Sequence, residues 1–486
     1  RESVNVAMEN LPADNLKYYD LGSGLVTNTI GSAMVKWNMA SFMGRINYNY
    51  LGRYLLTVSA RYDGSSRLAD GHKWVLFPSA ALAWRINEES FMSSTSGWLD
   101  NLKLRLGFGK TGNSAVDPYQ TKGTLSLIRY PFDNGGTPTI GYAPNAMANS
   151  LLTWETTDQW NLGIDFGVLR GRINGTIDLY MQNTHDLLLK RQLPVVSGFP
   201  DVLSNVGKTR NKGIEVSINS MNINSKDFQW TTDLMLSSNK EEIVELYNGK
   251  NDDIGSKWFI GQPVNVHYDY RKVGIWQNTE SDLAEMAKFA ANGTEFAPGD
   301  IKIQDVNGDY KITDADKQIL GNPRPKLIAS MVNTFNYKGF DLSVFLYASF
   351  GAMLYNDIYA VEHCGRNGGV KVDYWTPNNP TNAYPRPSID EERPIYITST
   401  YYEKADFLRV KTMTLGYTLP KTLTNKFLVE KLRVYFTAQN PFIFTNYTGI
   451  DPEAAKVNSA GNPETNGSGF GTPSVSSWIF GINLTL

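Results

Sequence analysis

The chain has 486 residues and a formal charge of −2, so it carries no bulk basic field of the kind that draws nucleic acid, and none is expected as a partner. Its lone Cys364 fits neither an internal disulfide nor a thiolate zinc pattern, and its four histidines (His72, His185, His267 and His363) are scattered with no HExxH. No GxSxG elbow, phosphate loop or other catalytic constellation stands out, no apolar run reaches the length of a transmembrane helix, and the opening residues lack the basic and apolar regions of a signal peptide, so the expectation is a non-enzyme without helical spans.

In chain order, the segments are aromatic-rich and alternate with period two. In residues 42–62, Phe42, Gly44, Ile46, Tyr48 and Tyr50 share one face and Arg45, Asn47 and Asn49 the other. The chain turns at "LGR" and returns with Tyr54, Leu56, Val58, Ala60 and Tyr62 on the apolar face. "LKLRLGFG" sets Leu102, Leu104, Leu106 and Phe108 against Lys103 and Arg105. A second hairpin turns at "RGR", with Trp160, Leu162, Ile164 and Phe166 leading in and Ile173, Ile177, Leu179 and Met181 leading back. Ile214, Val216 and Ile218 align next. Phe340, Leu342, Val344 and Leu346 follow a turn at Lys338–Gly339, then Leu432, Val434, Phe436 and Ala438, and last Trp478, Phe480, Ile482, Leu484 and Leu486.

Alternation suits either a soluble sandwich or a membrane barrel. Three features favour the barrel. The strands are long, about 9–13 residues, which suits a tilted span. Aromatics gather near strand ends, as at Tyr48, Tyr50, Tyr54 and Tyr62. Short turns alternate with long connections, over roughly 111–152, 241–325 and 351–403. About 14 strands are expected, too few to close without others, because an open edge in lipid is not viable. The chain, residues 1–486, therefore reads as the C-terminal part of a larger all-β transmembrane barrel, with no plug domain of its own.

One stretch breaks the pattern. "DVNGDYKITDAD", Asp305 to Asp316, carries oxygens at the spacing of a twelve-residue calcium loop, inside a calcium-loop-like segment at 299–321. Asp305, Asn307, Asp309, the Lys311 carbonyl, Thr313 and Asp316 are the expected ligands of a structural Ca2+. Tyr310 stands where such loops place glycine, so a non-glycine residue is expected at positive φ.

In combination, "LLTVSARYDGSSRL", "WVLFPSAALAWRI", "LKLRLGFGKTGN", "GDIKIQDVNGDYKITDADKQILGNPRPK", "FLRVKTMTLGYTLP" and "LRVYFTAQNPFIFTNYTGIDPE" resemble the C-terminal barrel of SusC/RagA-type TonB-dependent outer-membrane transporters of Bacteroidota. The resemblance spans nearly the whole chain. It implies an antiparallel barrel of 22 strands with long extracellular loops, an N-terminal plug and barrel portion, a SusD-like surface lipoprotein, and energy from the TonB–ExbB–ExbD complex. The implied function is active import of oligosaccharides, or oligopeptides, across the bacterial outer membrane. The calcium loop would then brace the extracellular mouth. The other reading of the same residues is a soluble β-rich carbohydrate-binding protein with a calcium-stabilised loop.

Sugar rings stack on aromatic faces while amides and carboxylates take the hydroxyls. The expected ligand contacts are therefore the loop residues Trp258, Phe259, Tyr268, Tyr270, Trp276, Tyr374, Trp375 and Asn378.

Overall fold

The computed structural model describes residues 2–9, 26–130, 139–356, 371–387, 393–424, 426, 429–453 and 473–485. Cys364 and His363 lie outside them. Thirteen strands form one antiparallel sheet in which each strand pairs with its neighbour in the chain. They are β1 (Met39–Tyr50), β2 (Tyr54–Ser65), β3 (Trp74–Arg85), β4 (Leu99–Asn113), β5 (Glu155–Val168), β6 (Ile173–His185), β7 (Lys208–Asn224), β8 (Phe228–Glu245), β9 (Leu327–Tyr337), β10 (Phe340–Phe350), β11 (Phe407–Thr418), β12 (Lys431–Thr445) and β13 (Ser477–Thr485). A separate hairpin joins Glu2–Glu9 to Val26–Met34.

The register keeps one face apolar across the sheet. Ile46 opposes Val58, Leu162 opposes Leu179, Ile177 opposes Val216, and Phe436 opposes Phe480. This face is bare: Phe42 is 68% exposed, Ile46 73%, Phe480 81% and Ile482 69%. A soluble sandwich would cover such a face with a second sheet, so the soluble reading falls and the apolar face is the lipid face. No helix among the described residues is long and apolar enough to cross a membrane; the crossing is made by strands.

Aromatic rings collect in two bands on that face. Phe42, Tyr62 and Trp74 stack near one end, and Tyr48, Tyr50, Tyr54 and Trp84 near the other. From Tyr54 to Tyr62 a strand tilted by about 40° rises roughly 20 Å, close to the height of an outer-membrane apolar band.

The two ends of the sheet differ. At one end the connections are 51–53, 86–98, 169–172, 225–227, 338–339 and 419–430. At the other they are 66–73, 114–154, 186–207, 246–326, 351–406 and 446–476. The tightest turn puts Lys338 at φ +46° and Gly339 at φ +91°, the doubly positive pattern that continues strand twist through two residues. Short turns are the periplasmic end of an outer-membrane barrel, so the long connections are extracellular.

Five strands exceed the expected length, β4, β5 and β12 at 15, 14 and 15 residues and two others by more. β7 and β8 run to 17 and 18 residues. Their extra residues pair beyond the lipid band through charged partners: Lys208 with Glu245 at 2.7 Å, Arg210 with Glu242 at 3.6 Å, and Arg324 with Glu241 at 3.2 Å. Glu241 and Glu242 thus belong to a strand end rather than to a loop.

The inward face is polar. Near the periplasmic end Asp165 takes Lys103 at 2.6 Å and Arg105 at 2.8 Å, and Arg105 reaches Asp178 at 3.0 Å. Across the sheet Arg433 Nε donates to Asp341 at 2.8 Å. Gly163 lets the first cluster form, since a Cβ there would stand 2.5 Å from the Arg105 guanidinium and 2.7 Å from Asp178 Oδ1.

Candidate functional site

The largest buried side chains lie in the extracellular connections, where water rather than lipid is the solvent and a core is worth forming. Connections 246–326 and 351–406 fold together. Short antiparallel ladders pair 267–269 with 318–321, 272–275 with 301–303, and 353–355 with 402–404. Helix α1, Glu280–Ala291, starts at Thr279, whose side chain accepts from the Asp282 amide. Its inner face places Met286 and Phe289 against Trp276 and Phe296. On the outside Lys302 bridges Asp282 at 3.1 Å and Glu285 at 2.5 Å. A second cluster joins the two connections: Ile275, Ile301 and Ile303 from the first, and Trp375, Tyr384, Ile397 and Tyr401 from the second.

His267 is a further tie. It is 1% exposed, its Nε2 lies 2.8 Å from the Met353 carbonyl, and its ring packs 5.0 Å from Tyr402. Burial holds its pKa below the ordinary imidazole value despite the Met353 bond. Burial also pushes Lys272 down to about 8 while its Nζ donates to the Ala383 carbonyl at 2.7 Å. Burial, then the charge of Asp314 and a hydrogen bond to it, raises Tyr270 to about 12.

The expected ligand contacts divide. Trp276 is fully buried, Trp375 is 6% exposed with its indole N–H on Gln277 Oε1 at 2.8 Å, and Phe259 is 8% exposed against Tyr268. These three are loop core, and none offers a face to a sugar ring. Trp258, Tyr268 and Tyr270 are half-buried, Tyr270 being capped by Tyr396 at 5.0 Å. Tyr374 and Asn378 are exposed. Tyr374 edges a hollow of about 470 Å³ with Lys371, Asp373, Thr376 and Asn379.

A larger hollow, about 590 Å³, opens between the two connections. Phe296 and Tyr396 supply ring faces, Glu295 and Asp300 acceptors, and Arg386 a donor group braced on Asp300 at 2.8 Å. Sequence patterning does not reveal it, because its walls come from residues about 100 positions apart. Ile312, the central apolar residue of the calcium-like loop, forms part of the wall, and its amide is held by Thr294 Oγ1 at 3.4 Å.

That loop closes on its own amides. Asp305 Oδ1 accepts from Gly308 at 2.7 Å and Oδ2 from Tyr310 at 2.8 Å, while Asp309 takes Lys311 at 2.8 Å. Asp316 is fully buried and accepts from Val306 at 2.9 Å and Thr313 at 2.8 Å. Tyr310 has φ +57°, as the turn requires. Among the described residues no three His, Cys, Asp or Glu side chains stand close enough together to hold an ion.

Residues 10–440 match the family described as TonB dependent receptor-like, beta-barrel. The chain is 35% identical over 434 residues to the TonB-dependent receptor SusC of Bacteroides thetaiotaomicron, covering 85% of this chain and 41% of that protein. It is 33% identical over 475 residues to the TonB-dependent receptor P26 of Formosa agariphila, covering 94% and 47%. Among solved structures it is similar to the RagAB peptide transporter, with a TM-score of 0.79 at 24% identity over 97% of this chain and 50% of that one. The chain spans about half the length of the curated relatives it matches.

Proposed function

The chain belongs to the TonB-dependent receptor-like β-barrel family, in its SusC/RagA type, and we propose that it serves active import of oligosaccharides through the bacterial outer membrane in which that barrel sits. The whole transporter would add the N-terminal plug and barrel portion, draw energy from TonB–ExbB–ExbD, and work under a SusD-like lipoprotein. The observation that carries the reading is the folded loop assembly at the extracellular end, with ring faces, acceptors and a braced arginine around one hollow. A neutral sugar needs those elements: apolar ring faces for stacking and convergent polar groups for its hydroxyls. The relatives are receptors and a transporter, not enzymes.

The test is purification of the whole transporter from outer membranes, followed by uptake of labelled oligosaccharides and oligopeptides by cells with and without it. Saccharide uptake that needs the transporter supports the reading. Uptake confined to oligopeptides would move the substrate class, and uptake of neither would reject import.

We further propose that the loop Asp305–Asp316 takes up Ca2+. Its left-handed Tyr310 and the bond from the Tyr310 amide back to Asp305 support this, since both belong to a loop wound around its own first carboxylate. An ion would draw Asp305, Asp309 and Asp316 together in exchange for some of their amide hydrogen bonds.

A further inference from the structure

A third hollow, about 370 Å³, lies at the extracellular end away from the loop assembly, where segment 35–38 crosses the connections 66–73 and 114–154. Its charge is one-sided in a chain that is nearly neutral: Lys36, Lys73 and Lys122 line it with one carboxylate, Asp70. Lys73 lies 2.5 Å from Asp70; among the described residues Lys36 and Lys122 take part in no ion pair. A fourth cation, Arg67, lies 3.9 Å over the ring of Trp37. Trp37 and Tyr119, 46% and 49% exposed, are the aromatic walls.

The hollow is built on a fixed floor. Leu68, Val116, Leu152 and Trp154 are buried beneath it with Phe77. The Trp154 indole donates to the Lys73 carbonyl at 2.8 Å, the Ala69 amide to Leu152 at 3.1 Å, and the Lys36 amide to the Tyr119 hydroxyl at 3.2 Å. The two lysines and the two rings are thus presented by backbone that is already ordered, which lowers the entropy cost of binding.

We propose that this hollow binds an acidic saccharide, one whose sugar ring lies on Trp37 or Tyr119 while its carboxylate, sulfate or phosphate meets Lys36 and Lys122. An aromatic wall alone suits any sugar and a lysine pair alone suits any anion; the two together select sugars that carry charge. The proposal rests on the import reading where the saccharide is cargo. The same chemistry is carried by the acidic sugars of lipopolysaccharide in the membrane around the barrel.

The experiment uses the whole transporter in detergent, with tetragalacturonate, maltotetraose and lipopolysaccharide as calorimetric probes. Binding to wild type is compared with Lys36→Gln/Lys122→Gln and with Trp37→Ala. Tetragalacturonate should bind the wild type, at least about tenfold more weakly in either variant and in about 0.5 M salt, while maltotetraose binding is unchanged. If only lipopolysaccharide shows that loss, the site stands and its ligand is the membrane's own acidic sugar. If neither acidic probe binds wild type more tightly than the variants, the proposal is overturned. Uptake of neutral oligosaccharide by cells bearing the double variant separates the two readings: it should match wild type, and its absence from wild type as well would remove neutral oligosaccharides as cargo without touching the site.

Discussion

A buried carboxylate, Asp451, ties together the two described ends of the connection 446–476, and removing it gives a sharp test of how the extracellular loops are held. Asp451 and Arg409 are 5% and 4% exposed at their side chains, with Oδ1 and a guanidinium nitrogen 2.5 Å apart. Asp451 also accepts the Glu453 amide at 2.9 Å and the Ser474 amide at 3.0 Å, so it holds both ends of residues 451–474 against β11. Arg409 Nε lies 3.1 Å from Glu453 without the alignment of a hydrogen bond, so Glu453 is a poor substitute. Asp451→Ala leaves a buried guanidinium nearly alone and frees two amides. Breaking a buried pair from one side costs about 3–5 kcal/mol. The cost should appear as local opening, read by hydrogen–deuterium exchange: amides of Phe407–Val410 should exchange about a hundredfold faster or more. Arg409→Met/Asp451→Leu removes both charges and should recover most of that protection. Exchange within about twofold of wild type in Asp451→Ala, or a double variant as labile as the single, would refute the reasoning. The pH dependence has a fixed sign. Burial opposes the charged form of Asp451, but the Ser474 and Glu453 amides and Arg409 outweigh it and hold its pKa below the ordinary value. The clamp is therefore fully present above about pH 3.9 and is lost as pH falls through the lower folded value.

Three other outcomes are expected. Trp276→Ala should open the loop assembly, at a cost of about 3–5 kcal/mol for a fully buried indole, measured as faster proteolysis within 246–326 while the barrel stays resistant. The His267 contacts should weaken in acid. Its folded pKa lies below the ordinary value of about 6.5, so protonation favours the opened state and protection of 267–269 and 353–355 should fall below about pH 6.5, with nearby Lys257 adding to the penalty; a flat profile from pH 7 to 5 would count against it. Millimolar calcium, against a chelator, should slow exchange at Val306–Ile312 in wild type and have no effect in Asp305→Asn/Asp309→Asn; identical exchange with calcium and chelator would reject the ion.

How much of the molecule is legible in its sequence depends on the range over which each signal acts. Strand faces are readable because the period of two is local: Ile46, Val58, Leu162 and Ile177 fall on the face their spacing predicts. Long and short connections are readable too, since a break in alternation marks each strand end, although β8 runs on to Glu245 because charge pairing extends it past the apolar band. The loop core is not readable. Trp276, Trp375 and Tyr374 carry no periodicity that tells a buried ring from an exposed one, so sequence alone assigns all three to ligand contact. What buries Trp276 is Phe289 on the next helix, and what buries Trp375 is Ile275 and Ile301, about 75–100 positions away. Arg409 and Asp451 sit in "FLRV" and "GIDPE", and nothing in either stretch announces the other across some 40 residues of chain.

The placement of hydrophobic residues divides the molecule by solvent. On the strands, apolar side chains such as Phe480 and Ile482 are exposed because lipid is their partner, and stability there comes from closed hydrogen-bond ladders rather than from burial. In the extracellular connections, apolar side chains are buried because water is their solvent, and packing contributes most of the stability. A truncation such as Ile482→Ala therefore exchanges lipid contact for lipid contact and opens no protein cavity, whereas Phe289→Ala leaves a void in the loop core. The extracellular assembly is consequently stabilised by its own packing, separately from the hydrogen-bond ladders of the wall beneath it, so the two should lose structure independently.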